Sequence, residues 1–370
     1  MSEAPAVEPT VFESWSQRVV LGTGAARTAL AGEIERLSAS RVLLLATEQE
    51  LPLARELAAS LPVVATFTGV RPHVPVEVAE AARALARSND ADLLLSVGGG
   101  STTGTAKAVA LSDRLPILAV PTTYAGSEAT PVWGLTEGGR KVNGADPVVL
   151  PRAVVYDPQL TVTLPEAMTV ASGLNAVAHC VDSLWAPQAN AVSTALAVEG
   201  LRSLAQALPT LVSDGGDLTA RRQALEGTYL AAVAFAAAGS GMHHKICHVL
   251  GGAYNLEHAA MHAVVLPHVL AFNTPSAPEE ASRVVSALAS AGFGGHGSAV
   301  GSLLALYDVL GAPRSLGALG LSETDVDEAA RLCLEKIPPS NPRPVGVTDL
   351  RALLRRAQAG QTPTDPPAAT

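Results

Sequence analysis

The chain has 370 residues, of which 48% are hydrophobic and 16% charged, with a formal net charge of −9. Such a length exceeds what one hydrophobic core usually fills, so two domains are expected, and the composition excludes a disordered chain. The acidic balance argues against nucleic acid as a partner, because phosphate binding needs a local surplus of Lys and Arg. A small anionic substrate fits only if positive charge gathers at one place.

In chain order, residues 18–21, 41–46, 63–67, 92–97 and 117–120 read as strands, being short β-branched or leucine runs. Residues 25–37, 51–60, 75–88 and 104–111 read as the helices between them, and residues 153–156 as a last extended piece. This alternation is the rhythm of a parallel sheet covered on both faces. From Pro165 to about Leu354 alanine and leucine recur at three- and four-residue intervals, a helical pattern. The expected division is a Rossmann-like α/β dinucleotide-binding domain over 1–162, an all-helical substrate domain over 163–359, and a disordered Pro-, Thr- and Ala-rich tail over 360–370. No apolar stretch reaches the roughly 20 residues of a membrane span. No basic start followed by an apolar run marks a secretory signal, so a cytoplasmic protein without membrane association is expected. Cys180, Cys247 and Cys333 are widely spaced and read as core residues, not as a disulfide framework or zinc site.

The strongest local signal is Leu-Leu-Leu-Ser-Val-Gly-Gly-Gly-Ser-Thr-Thr-Gly, where a buried strand runs into Gly98, Gly99, Gly100 and Ser101 and then a helix. Glycines at such a turn let backbone approach a diphosphate, and the helix start directs unpaired N–H groups at it. Taken alone, the stretch is also compatible with a ligand-free glycine turn. A second polar cluster with Thr122, Thr123 and Ser127 follows the next strand and emerges at the same sheet edge. Thr47 and Glu48, just past the second strand, stand where an adenosine ribose could be met, or on a plain surface turn.

Seven of nine histidines fall between His179 and His268. Asn175 and His179, His244 and His248, and His258 and His262 are each four residues apart, which on a helix puts both members of a pair on one face. Three polar pairs in apolar helices suggest convergence on one pocket.

The succession GGGS, PTT with GSE, GLNAxxHC, HHKxCHxLGG and HAxxHAxxLPH resembles the maleylacetate reductases, a branch of the iron-containing alcohol dehydrogenase superfamily. The resemblance implies the dehydroquinate synthase-like fold of that superfamily. It also implies NADH or NADPH as cofactor, with the pyrophosphate at Gly98, Gly99, Gly100 and Ser101, nicotinamide-side contacts at Thr122, Thr123 and Ser127, and a ribose contact at Lys141. The superfamily's metal ligands match Asn175, His179, His244 and His258. Asparagine replaces an aspartate there, and Gly104 stands where a second aspartate is expected, so no metal is expected. The loss of carboxylates implies a positively inclined pocket of His179, His244, His248, His258 and Lys245, suited to a dicarboxylate.

Maleylacetate carries an alkene conjugated to a ketone, so hydride adds at the far alkene carbon while charge builds on the ketone oxygen. His244 or His248 is the expected proton donor, with His179, Asn175, His243 and His258 holding carboxylates. Glu257, Ala260 and Trp185 depart from the reductase pattern near the pocket and leave room for a related substrate. Two other readings stand beside this one: a metal-dependent alcohol or aldehyde oxidoreductase, and a non-redox lyase or cyclase that kept the fold. A homodimer is the expected assembly. No clear ribose discriminator decides between NADH and NADPH.

Overall fold

In the computed structural model residues 12, 15–138 and 140–363 are described. Among them the strands are β1 (Arg18–Leu21), β2 (Val42–Leu45), β3 (Val63–Phe67), β4 (Leu93–Gly98), β5 (Ile117–Pro121), β6 (Val132–Glu137), β7 (Arg140–Ala145) and β8 (Ala153–Tyr156). Six form a parallel sheet in the order β1-β8-β5-β4-β2-β3, while β6 and β7 make a separate antiparallel hairpin.

Every residue of β4 is buried, Ser96 included, as its leucine-rich run requires of a strand covered on both faces. Alternate side chains enter two cores. Leu93, Leu95 and Val97 pack with Val42, Leu44 and Leu118 beneath α1 (Ala25–Thr28), α2 (Leu30–Arg36) and α3 (Leu51–Leu57). Leu94 joins Leu43, Leu45 and Ile117 beneath α4 (Val76–Ser88) and α5 (Gly100–Asp113). After β3 the chain returns to lay β4 on the opposite side of β2, so the carboxyl ends of β2 and β4 flank a topological switch point. Open α/β sheets bind ligands there.

The sequence reading differs from the structure in three places. The helix expected over 25–37 breaks at Ala29 into α1 and α2. The helix expected from residue 104 starts at Gly100, because the low helix propensity of glycine conceals its first turn. The β6–β7 hairpin is absent from the reading, although Gly138, at φ 54, stands at its turn. A Cβ on Gly144 would lie 2.7 Å from the Trp133 ring, so glycine is needed for that indole to cross the partner strand.

The second half is helical: α6 (Glu166–Ser183), α7 (Ala191–Ser213), α8 (Leu218–Ala238), α9 (Met242–Tyr254), α10 (His258–Asn273), α11 (Pro278–Leu288), α12 (Ala299–Leu310), α13 (Val326–Leu334) and α14 (Val347–Gln358). One core gathers α6, α7, α10, α11 and α12, and another gathers α9, α10, α13 and α14. Buried Arg221 of α8 ties this half to the sheet, donating to the Tyr124 hydroxyl at 3.1 Å and to Thr169 at 3.2 Å. The three cysteines are buried and unbridged. No helix among the described residues is long and apolar enough to cross a membrane. Of the tail expected over 360–370, residues 364–370 lie outside the described residues.

Candidate active site

The glycine loop lies at the switch point. Gly98 has φ 150, and a Cβ on it would collide with the Glu50 carboxylate and lie 2.5 Å from Thr102 Oγ1. Gly99 is the N-cap of α5 with no side chain capping it, which leaves the first turn, Gly100 and Ser101, free to offer N–H groups to an anion. A Cβ on Gly99 would stand 3.1 Å from Thr123 Cγ2, so the loops after β4 and β5 touch.

Glu50, which sequence reasoning missed, joins these pieces. Its carboxylate accepts from Thr47 Oγ1 at 2.9 Å and from Thr122 Oγ1 at 2.8 Å, bridging the ends of β2 and β5 across Gly98. Thr47 and Thr122 are thus brought to one acid, although the sequence reading placed them at different parts of the dinucleotide. Glu48 is exposed. Lys141 lies in β7, with its backbone opposite Thr136, and its side chain is outside the described residues.

The loop after β5 also meets the helical half. A Cβ on Gly126 would lie 2.9 Å from Ala232 Cβ and 3.7 Å from His179 Nδ1, so Gly126, just before Ser127, borders His179. His179 on α6 stacks on His244 of α9 at 4.9 Å between ring centroids, and Phe235 of α8 packs on both. His243 stands at right angles to His244 at 5.0 Å and contacts His262, its Nε2 2.9 Å from His262 Nδ1. His248 lies 6.3 Å from His244, and His258, exposed, lies 4.5 Å from His262. Asn175, 3% exposed, is one turn before His179 on α6. The polar pairs therefore converge, with His262 of the third pair in contact with His243, His244 and His258.

Asp182 is the group that the sequence reading left without a role. Fully buried, it accepts from His244 Nδ1 at 2.8 Å, from the Gly241 and His243 backbone N–H groups at 2.9 and 3.2 Å, and from Trp185 Nε1 at 3.3 Å. The N-terminus of α9 thus receives an internal carboxylate. Gly241 makes the approach possible, since a Cβ there would lie 2.5 Å from Asp182 Oδ1. The usable signal was its place three residues after His179 on one helix. Because a carboxylate only accepts, His244 presents Nδ1–H to it and turns Nε2 the other way; that Nε2 is buried and has no protein partner among the described residues.

This geometry corrects the positively inclined pocket. Burial holds His179, His243, His244 and His262 well below the usual imidazole pKa, and Asp182 adds a carboxylate to the cluster, its own pKa raised by burial. The buried part of the chamber is polar, and positive charge lies towards His258 and Lys245, both of which oppose protonation of His244. A stability consequence follows. With folded pKa values depressed, the unfolded chain binds protons first as pH falls through about 6.5, so the contribution of these histidines is complete above that pH and lost below it. Asp182 acts in the opposite sense, but it is one group against several. Tm is expected to fall between about pH 7 and pH 5, and an equal or higher Tm at the lower pH would contradict neutral burial.

Ring nitrogens of His243, His244 and His262 lie within 4.8 Å of one another, but His243 and His262 are already engaged with each other. At the positions Asn175, His179, His244 and His258 no ligand is anionic, and Asp182, bonded to His244, is saturated by donors. Asn175 puts a neutral amide oxygen where a carboxylate would bind iron or zinc more tightly, so this set is a weaker one than its carboxylate-bearing counterpart. The buried, unpartnered Asn175 Oδ1, His179 Nδ1 and His244 Nε2 suit a polar organic ligand.

Residues 16–158 match the profile of "Iron-containing alcohol dehydrogenase", and residues 169–358 that of "Fe-containing alcohol dehydrogenase family, C-terminal". A maleylacetate reductase of Sphingobium indicum is 44% identical over 95% of this chain and 98% of its own length. One from Burkholderia cepacia is 44% identical over 96% and 99%. Among solved structures, an iron-containing alcohol dehydrogenase from Corynebacterium glutamicum superposes with a TM-score of 0.93 at 47% identity, covering 97% of this chain and 99% of that one. The maleylacetate reductase from Agrobacterium tumefaciens does so with a TM-score of 0.90 at 40% identity, covering 96% and 100%. The chain belongs to the iron-containing alcohol dehydrogenase family. It is an oxidoreductase with that family's fold, a parallel-sheet α/β half followed by a helical half.

Proposed function

We propose that this chain reduces maleylacetate, a 2-ene-4-oxo dicarboxylate, to 3-oxoadipate with NADH or NADPH, and does so without a metal. The observation that carries the proposal is the Asp182–His244 pair, with His244 Nε2 buried and unpartnered beside a loop that borders the glycine cradle. The nicotinamide, when bound, supplies a hydride to the alkene carbon far from the ketone. His244 is neutral before substrate arrives. The two substrate carboxylates raise its proton affinity, and Asp182 stabilises the imidazolium that forms. Nε2–H then meets the charge growing on the ketone oxygen, and one proton is consumed with the hydride. Asn175, His179 and His243 line the chamber, while His248, His258 and Lys245 supply polar and charged groups towards its rim. Anaerobic turnover of maleylacetate, followed by loss of reduced nicotinamide absorbance, tests this reading. No oxidation of either cofactor, with NADH still binding, would refute the substrate.

Glu50 supports a preference for NADH. A carboxylate at the carboxyl ends of β2 and β4 accepts from ribose hydroxyls and repels a 2′-phosphate. Glu50→Gln is expected to raise the NADPH-to-NADH ratio of kcat/KM by about tenfold, the effect of roughly 1.4 kcal/mol of lost repulsion. An unchanged ratio in parallel steady-state assays would contradict it. Residues 1–162 are assigned to the dinucleotide and 163–359 to the substrate, in a cytoplasmic homodimer whose mass equilibrium sedimentation measures.

A further inference from the structure

One buried charge has no part in the chemistry above. Lys107 of α5 is 0% exposed, and its ammonium donates to the carbonyls of Ser127 at 2.6 Å, Thr130 at 2.7 Å and Val132 at 2.8 Å, with Thr130 Oγ1 at 3.2 Å. Burial lowers its pKa to about 7, against the pull of Glu128, which is buried too and accepts from the Tyr156 hydroxyl at 2.7 Å. An ammonium is costly to bury, and satisfying its protons fixes the oxygens that surround it.

Those oxygens mark out one segment. Its first residue, Ser127, follows Gly126, which borders His179, and its last, Val132, opens β6, whose partner β7 carries Lys141. The helix that bears Lys107 begins in the glycine loop. A single ammonium therefore links the cradle under the pyrophosphate, the turn on the nicotinamide side and the hairpin. Fully packed methionine of similar length would fill the space but take the ammonium from three carbonyls, of which that of Ser127 keeps the Thr130 N–H and hydroxyl.

We propose that Lys107 is a positioning residue for the dinucleotide: it fixes the spacing between the glycine loop and the Ser127 turn, so that the cofactor is gripped at both, and thereby sets cofactor affinity while leaving the chemical step alone. The proposal rests on the reading that these two loops hold NADH or NADPH. It goes beyond the residues that would touch the cofactor, since Lys107 is spent entirely on protein oxygens.

The test is Lys107→Met in the full chain, with NADH affinity measured by fluorescence titration, steady-state kinetics in both substrates, and Tm without cofactor. The Kd and KM for NADH are expected to rise at least about tenfold, while kcat at saturating NADH and the KM for maleylacetate stay within about threefold. A merely structural lysine would lower Tm and leave the KM for NADH within about twofold, and that result overturns the proposal. A fall in kcat with no change in that KM overturns it equally. If Lys107→Met does not fold, Thr130→Val removes one acceptor and keeps the charge; a rise of about threefold in the KM for NADH at constant kcat is then expected, and no rise refutes the proposal. Gly98→Ala separates the two readings. It places a Cβ against the Glu50 carboxylate at φ 150, so NADH binding should be lost. Wild-type NADH affinity in Gly98→Ala would mean that the cofactor-site reading itself has failed. Loss there with unchanged affinity in Lys107→Met would mean that only the role of Lys107 has failed.

Discussion

His244→Asn is expected to lower kcat by about 10²–10⁴, the usual worth of a positioned proton donor, with NADH affinity unchanged within about twofold. Asparagine is the informative choice because its amide nitrogen can replace Nδ1–H towards Asp182 while nothing replaces Nε2. The carboxylate then stays bonded and the fold is spared the cost of a buried, unpaired charge. What disappears is the group proposed to face the ketone oxygen. Stopped-flow oxidation of NADH with excess maleylacetate reads the loss directly. A kcat within about fivefold of wild type would remove His244 from the mechanism and leave half-buried His248 as the donor.

Asp182→Asn attacks the same proton from behind. Wild-type Asp182 collects N–H donors from the start of α9, from Trp185 and from His244, a set matched to an ionised acceptor. An amide of the same size offers one acceptor oxygen and turns two protons towards donors, so His244 loses the partner that fixes its tautomer. A fall in kcat of about 10²-fold or more is expected, together with a stability loss of about 1–3 kcal/mol from the unsatisfied groups. The double variant separates catalysis from damage to the fold. If Asp182 works through His244, adding Asp182→Asn to His244→Asn should lower kcat little further, because the two act as a unit. Multiplying losses in the double variant would make Asp182 a structural anchor of α9 and nothing more.

Much of this architecture could be read from the chain alone. The leucine runs of β2 and β4, the glycine loop and the four-residue spacing of the histidines are local patterns, and local patterns are what periodicity reports. What escaped depends on distant segments. Asp182 is a lone acid at the end of an apolar helix, and only the folded chain brings the start of α9, some sixty residues later, against it. Glu50 likewise acquires meaning from Thr122, 72 residues away. Lys107 lies inside a recognisable motif, yet only its carbonyl partners in the 127–132 segment show what its charge holds. The reading of a cationic chamber counted histidines without their burial, which is the term that decides their charge.

Whether proton donation comes from the protein itself is tested most directly by metal content and turnover measured on the same sample. Purified protein would be treated with chelator under anaerobic conditions, its iron and zinc assayed, and maleylacetate turnover with NADH recorded before and after adding each ion back. Full activity with far less than one ion per chain, unaltered by added iron or zinc, is the predicted result. Activity that vanishes with the chelator and returns in proportion to one bound divalent ion would contradict it.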